Sequence, residues 1–202
     1  MTDNDFVKNW AGAKEAGLLR SAYHFADYRY VASLQAKYFY DLINDSPDLP
    51  PVLDFELREG VWNTPTPAAC TKWIQNFFTT WKDITSMPII LYVNSGFIKY
   101  VLPNPIPDWL AEHDLWLAHY ADEPNVRQWP APWTFWQFTD RGDGLAAGVE
   151  SKQIDMDYFY GTVGELMHYS VRTMGAPEPE PQPLTRDQQH DLMWIDYQER
   201  MK

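Results

Sequence analysis

The chain has 202 residues, 45% of them hydrophobic, enough to bury a sizeable core as one domain with a tail. Its net charge of -12 argues against nucleic acid or an anionic membrane as the main partner, because both would repel it. A single cysteine, Cys70, excludes an internal disulfide and two-cysteine metal motifs.

Met1 to Phe6 is polar and acidic, without the basic-then-apolar order of an export signal, and no apolar run reaches transmembrane length. No membrane insertion is expected. Residues 5 to 16 read as a helix with Phe6, Val7, Trp10 and Ala13 on one face, ended by Gly17. A strand over 18 to 25 follows, then a helix near 31 to 44. The order repeats as strand 51 to 56, helix 66 to 82, strand 88 to 94, a short helix from Ser95, and strand 115 to 120. Thr66 as N-cap and Pro67 in the first turn mark the start of the longest helix. Strands 133 to 139 and 153 to 159 close the series, and the Asp140-Arg141-Gly142-Asp143-Gly144 loop between them reads as a turn.

Beyond residue 172 the composition changes. Prolines 177, 179, 181 and 183 predict an extended, semi-rigid linker over 173 to 183. Behind it, Thr185 with Gln188 forms a capping box, and Met193, Tyr197 and Met201 recur at helical spacing, which predicts a helical tail over 184 to 202. Its apolar stripe would dock on the domain or pair with another chain.

Strands alternating with helices predict an α/β fold with a parallel sheet, and the apolar run Ile89-Ile90-Leu91-Tyr92-Val93 predicts a strand covered on both faces. A doubly wound sheet and a TIM-barrel-like (β/α) barrel both fit. The barrel is favoured because polar residues recur at strand C-termini: His24, Glu56, Asn94, Tyr120 and Gln137. Six strands are counted, where a closed barrel has about eight.

The stretch Pro50-Pro51-Val52-Leu53-Asp54-Phe55-Glu56-Leu57 carries the chemistry. Side chains two apart on a strand share a face, so Asp54 and Glu56 would meet at one spot. Two like charges held that close raise the pKa of at least one, as acid-base sites require. The competing structural role is two acids capping a strand end. The five histidines are scattered with no helical zinc pair, no phosphate-cradling loop is present, and no metal or cofactor is assigned.

Six motifs in order resemble one family. Ala22-Tyr23-His24-Phe25, Asp54-Phe55-Glu56, Leu91-Tyr92-Val93-Asn94, Leu115-Trp116-Leu117-Ala118-His119-Tyr120, Trp136-Gln137-Phe138 and Ile154-Asp155-Met156-Asp157-Tyr158-Phe159 together resemble glycoside hydrolase family 25, the Chalaropsis-type lysozymes. The resemblance covers residues 3 to 162 and implies a barrel over 1 to 172 lacking the family's N-terminal strands, with their Asp-x-Ser acid. It implies hydrolysis of the β-1,4 bond between N-acetylmuramic acid and N-acetylglucosamine in bacterial peptidoglycan, at the cell wall. Glu56 would be the general acid; Asp54, staying ionised, would orient the acetamido group or stabilise positive charge, with a nucleophilic role as the alternative. Asp155 matches the acid of the last strand, while Asp157 carries no family role. Tyr23, His24, Tyr92, Asn94, Trp116, Tyr120 and Gln137 are the expected substrate-binding residues, a core role remaining open for His24 and Trp116. The alternative function is a glycan-binding or structural member of the same fold without catalysis; a third is a chitin-type hydrolase. Self-association through an open barrel edge or the tail is a further expectation.

Overall fold

The computed structural model describes residues 2–43, 47–57, 65–124 and 128–174. Its centre is one six-stranded sheet in sequential order: β1 (Tyr23–Phe25), β2 (Val52–Asp54), β3 (Ile90–Asn94), β4 (Leu115–Ala118), β5 (Phe135–Asp143) and β6 (Gln153–Phe159). Six helices accompany it: α1 (Phe6–Glu15), α2 (Ala32–Ile43), α3 (Pro67–Ile84), α4 (Ser95–Tyr100), α5 (Asp108–Ala111) and α6 (Val163–Met174). The expected α/β fold is present with six strands, as a sheet that curls into a half-barrel without a closed ring among the described residues.

The five strands from β1 to β5 are parallel, as the alternation of strands and helices requires. The sixth departs from the expected parallel sheet. β6 runs antiparallel to β5, because the two are joined by a hairpin loop with no crossover helix. Arg141-Gly142-Asp143, expected in a turn, lies in the irregular end of β5, where the register to β6 shifts twice. A side chain at Gly144 would collide with the carbonyl of Ser151, so the hairpin needs glycine there.

Alternation along the strands sorts the side chains into two layers. Leu53, Phe55, Leu91, Val93, Leu115 and Leu117 face the helices and are buried. There they meet an aromatic ladder on α3, where Trp73, Phe77 and Trp81 recur every fourth residue with ring centroids 5.7 and 6.3 Å apart. Phe39 of α2 and Phe55 close over it. Many of the aromatics therefore serve the core.

The start of α3 is as its sequence predicts. Thr66 Oγ1 accepts from the Ala69 amide at 3.2 Å, with Pro67 at the first helical position. Thr66→Ala is expected to lower the unfolding free energy by about 1 kcal/mol, read as a fall in the urea midpoint with an unchanged slope.

Two elements differ from expectation for identifiable reasons. The strand expected over 18 to 25 is regular only from Tyr23, because Pro50 and Pro51 opposite its first half have no N–H to donate to a ladder. Ser21 Oγ instead donates to the Pro50 carbonyl at 2.7 Å. Helix α6 lies where no helix is expected and runs past the boundary placed at residue 172. Its signal is a capping box: Thr162 Oγ1 accepts from the Glu165 amide and Glu165 Oε2 accepts from the Thr162 amide, at 3.1 and 2.7 Å. The linker from residue 175 and the tail lie outside the described residues.

Candidate active site

The face of the sheet away from α2 and α3 carries one transverse row, whose far end, Phe135 and Phe159, meets Tyr169 of α6. Cα register aligns Phe25, Asp54, Tyr92, Trp116, Phe135 and Phe159 across six strands, and aligned residues in a sheet point the same way. Glu56 lies two residues beyond Asp54, at the C-terminal end of the parallel strands. An acid pair, Tyr92 and the Trp116 indole thus share one side of the sheet.

Burial decides the electrostatics of the acids. Asp54 Oδ1 is buried with no hydrogen-bond partner, and only Tyr28 Oη shares that condition among the described residues. An unpartnered carboxylate oxygen strongly disfavours charge. Desolvation first, and the neighbouring Glu56 second, push the Asp54 carboxyl up to about 7. Glu56 is also raised, by burial and by the charge of Asp155, with a hydrogen bond from Tyr92 acting in the opposite direction. The expectation that Asp54 stays ionised is therefore corrected for the free protein below about pH 7. Both acids thus favour their protonated forms more than free carboxyls do.

On β3 to β6 and the segment after β4 a second set of polar groups converges. Gln137, only 4% exposed, accepts at its Oε1 from the hydroxyls of Tyr92 and Tyr120, each at 2.9 Å. Trp116 Nε1 donates to Asp157 Oδ1 at 2.7 Å, and its ring meets Tyr92 edge-on at 5.7 Å. Asp157 keeps much of its surface in water, yet its carboxyl tip is crowded; burial and Asp155 outweigh the Trp116 bond and raise it to about 6. Asp155 is exposed on β6, with its charge felt by Glu56, Tyr92 and Tyr120. Among the described residues no group of three or more His, Cys, Asp or Glu is placed to hold a metal ion.

Residues 1–146 match the model of glycosyl hydrolases family 25. The chain belongs to that family. The family 25 chain is 33% identical over 172 residues to the uncharacterized protein YegX of Escherichia coli strain K12, covering 84% of this chain and 58% of that protein. Over 187 residues it is 29% identical to Lysozyme M1 of Streptomyces globisporus, covering 85% of this chain and 60% of that enzyme. It thus spans about 60% of the length of these curated relatives. A solved family 25 glycosyl hydrolase from Bacillus anthracis superposes with a TM-score of 0.69 at 28% identity, over 84% of this chain and 77% of that one.

Not every residue expected at the site of this family 25 chain reaches it. His24 aligns with Leu53 on the helix side of the sheet, where its Nε2 bonds Gln35 Oε1 at 2.9 Å and its ring packs on Phe39 and Phe77. Burial lowers its pKa, as for a neutral core histidine. Asn94 caps α4, its Oδ1 accepting from the Phe97 amide at 2.8 Å. Tyr23 is on the acid side of the sheet but one row below Asp54, at the edge strand and 68% exposed. Tyr92, Trp116, Tyr120, Gln137 and Asp155 do converge around the acids. Asp157 went unassigned from sequence, although its two-residue spacing from Asp155 places both on one face.

Proposed function

We propose that the chain is an N-acetylmuramidase, cleaving the β-1,4 bond between N-acetylmuramic acid and N-acetylglucosamine in bacterial peptidoglycan at the cell wall. The observation that carries this is the Asp54-x-Glu56 pair with its buried, unpartnered Asp54 Oδ1. A buried acceptor without a donor favours a ligand that brings one, and an acetamido N–H is such a donor. Taking that bond lowers the Asp54 pKa and favours the state in which Asp54 is ionised and Glu56 is protonated. Glu56 then protonates the leaving glycosidic oxygen, while ionised Asp54 polarises the acetamido group, whose carbonyl oxygen attacks the anomeric carbon. Trp116 and Tyr120 offer aromatic ring faces near the acids, which suit the apolar faces of sugar rings.

Purified peptidoglycan tests the assignment. Loss of turbidity with new N-acetylmuramic acid reducing ends is the expected result. New N-acetylglucosamine ends would make the chain a glucosaminidase, and no new ends at any pH from 4 to 8 would leave it a glycan-binding member of the family.

A further inference from the structure

Trp116 and Asp157 stand on strands that do not pair. β4 and β6 lie on either side of β5, so about 10 Å of sheet separates them, twice the spacing of paired strands. The indole nevertheless donates from Nε1 to Asp157 Oδ1 at 2.7 Å, the short end of the range for an N–H donor. To make that bond the Trp116 side chain must lie across β5, where its ring meets Phe135 at 5.4 Å, tilted by 43°. It lies on the face that carries Asp54 and Tyr92, one strand beyond the tyrosine and two beyond the acid. We propose that Asp157 is a positioning residue that holds the Trp116 indole across β5 as a platform for a sugar ring of the glycan on the acid side of the sheet. The inference rests on the muramidase reading for the identity of that glycan.

A purely structural bond explains less. A fully buried indole needs an acceptor inside the protein, but Trp116 is half-buried and Asp157 is exposed, and water can serve an N–H at such a place. An acid is also an unfavourable acceptor there. Burial of its carboxyl tip and the charge of Asp155 raise Asp157 to about 6, against the pull of the Trp116 bond. What the bond does supply is orientation. An indole turns about two side-chain torsions, and tying its nitrogen to another strand restrains both. Tyr92 meets the ring edge-on at 5.7 Å from the β3 side. The indole is therefore held between β3 and β6 before any sugar arrives, and less freedom is lost on binding.

Steady-state cleavage of soluble peptidoglycan chains by the full chain tests this. Asp157→Ala frees the ring and is expected to raise KM about fivefold with kcat little changed, because a platform acts equally on the bound state and the transition state. Asp157→Asn keeps an acceptor oxygen for the indole and should hold the rise to about twofold. In a Trp116→Phe background, whose ring has no N–H, Asp157→Ala should add nothing, since the two residues act as one. A KM unmoved by Asp157→Ala, no relief in Asp157→Asn, or a further rise of about fivefold in the Trp116→Phe background overturns the inference. Should Asp157→Ala not fold, Asp157→Val, a better strand former, takes its place in both arms. Affinity is also read without cleavage, from the retention of each protein on insoluble peptidoglycan. Retention that falls in Asp157→Ala, in a chain that releases no reducing ends, would refute the muramidase reading and keep the inference. Cleavage by the wild type, with KM and retention unchanged in Asp157→Ala, would do the reverse.

Discussion

Glu56→Gln is expected to reduce peptidoglycan hydrolysis by about 10³-fold, the middle of the range for a lost general acid. Glutamine keeps the size of the side chain and can still bond Tyr92, so the fold and glycan binding should persist. The loss should fall on kcat, with KM little changed, because the proton is needed only as the glycosidic bond breaks. Residual activity within about threefold of the wild type would remove Glu56 from the acid's role. Single-turnover cleavage of a defined muropeptide chain, followed by chromatography, reads this directly.

Asp54→Asn is expected to weaken catalysis and strengthen the fold at the same time. Catalysis should fall by roughly 10² to 10³-fold, since the residue then carries no negative charge to polarise the acetamido group. Stability moves the other way because the native Asp54 titrates near 7 against about 3.8 for an unperturbed aspartate. The folded chain thus holds this proton more tightly than the unfolded one. Its contribution to stability is intact below about pH 4 and is lost as pH rises toward and through 7, by at most about 4 kcal/mol. Asparagine has no proton to lose. Thermal denaturation should therefore show the variant more stable at pH 8 and no more stable than the wild type at pH 4. Equal stability of the two proteins at pH 8 would show that Asp54 is not held in the desolvated environment described above.

How far sequence reaches is visible in particular residues. Asp54 and Glu56 were legible because their spacing, the prolines before them and the apolar strand between all act locally. Thr66 was legible for the same reason, a cap being set within four residues. His24 was misplaced because position at a strand end does not fix which face a side chain takes; register does, and Phe25 rather than His24 aligns with Asp54. Gln137 reads as a sugar contact until its neighbours are known. The tyrosines that occupy its oxygen come from positions 45 and 17 residues earlier, a convergence that only folding creates. The antiparallel β6 could have been inferred from its short connection to β5, and α6 from the Thr162–Glu165 box.

The sequential strand order has a consequence for how the chain acquires its shape. Among the described residues each strand after β1 pairs with the one made just before it, so once β2 has joined β1 each later strand finds its partner already synthesised. Each new strand and helix can add to an existing edge as it leaves the ribosome, keeping loop-closure distances short and folding fast for a parallel sheet. The acid pair on β2 would acquire its wall in stages: first Tyr92 with β3, then Trp116 with β4, then Gln137 with β5. Asp155 and Asp157 arrive last, on β6, so the electrostatic field around Glu56 is complete only when the hairpin closes.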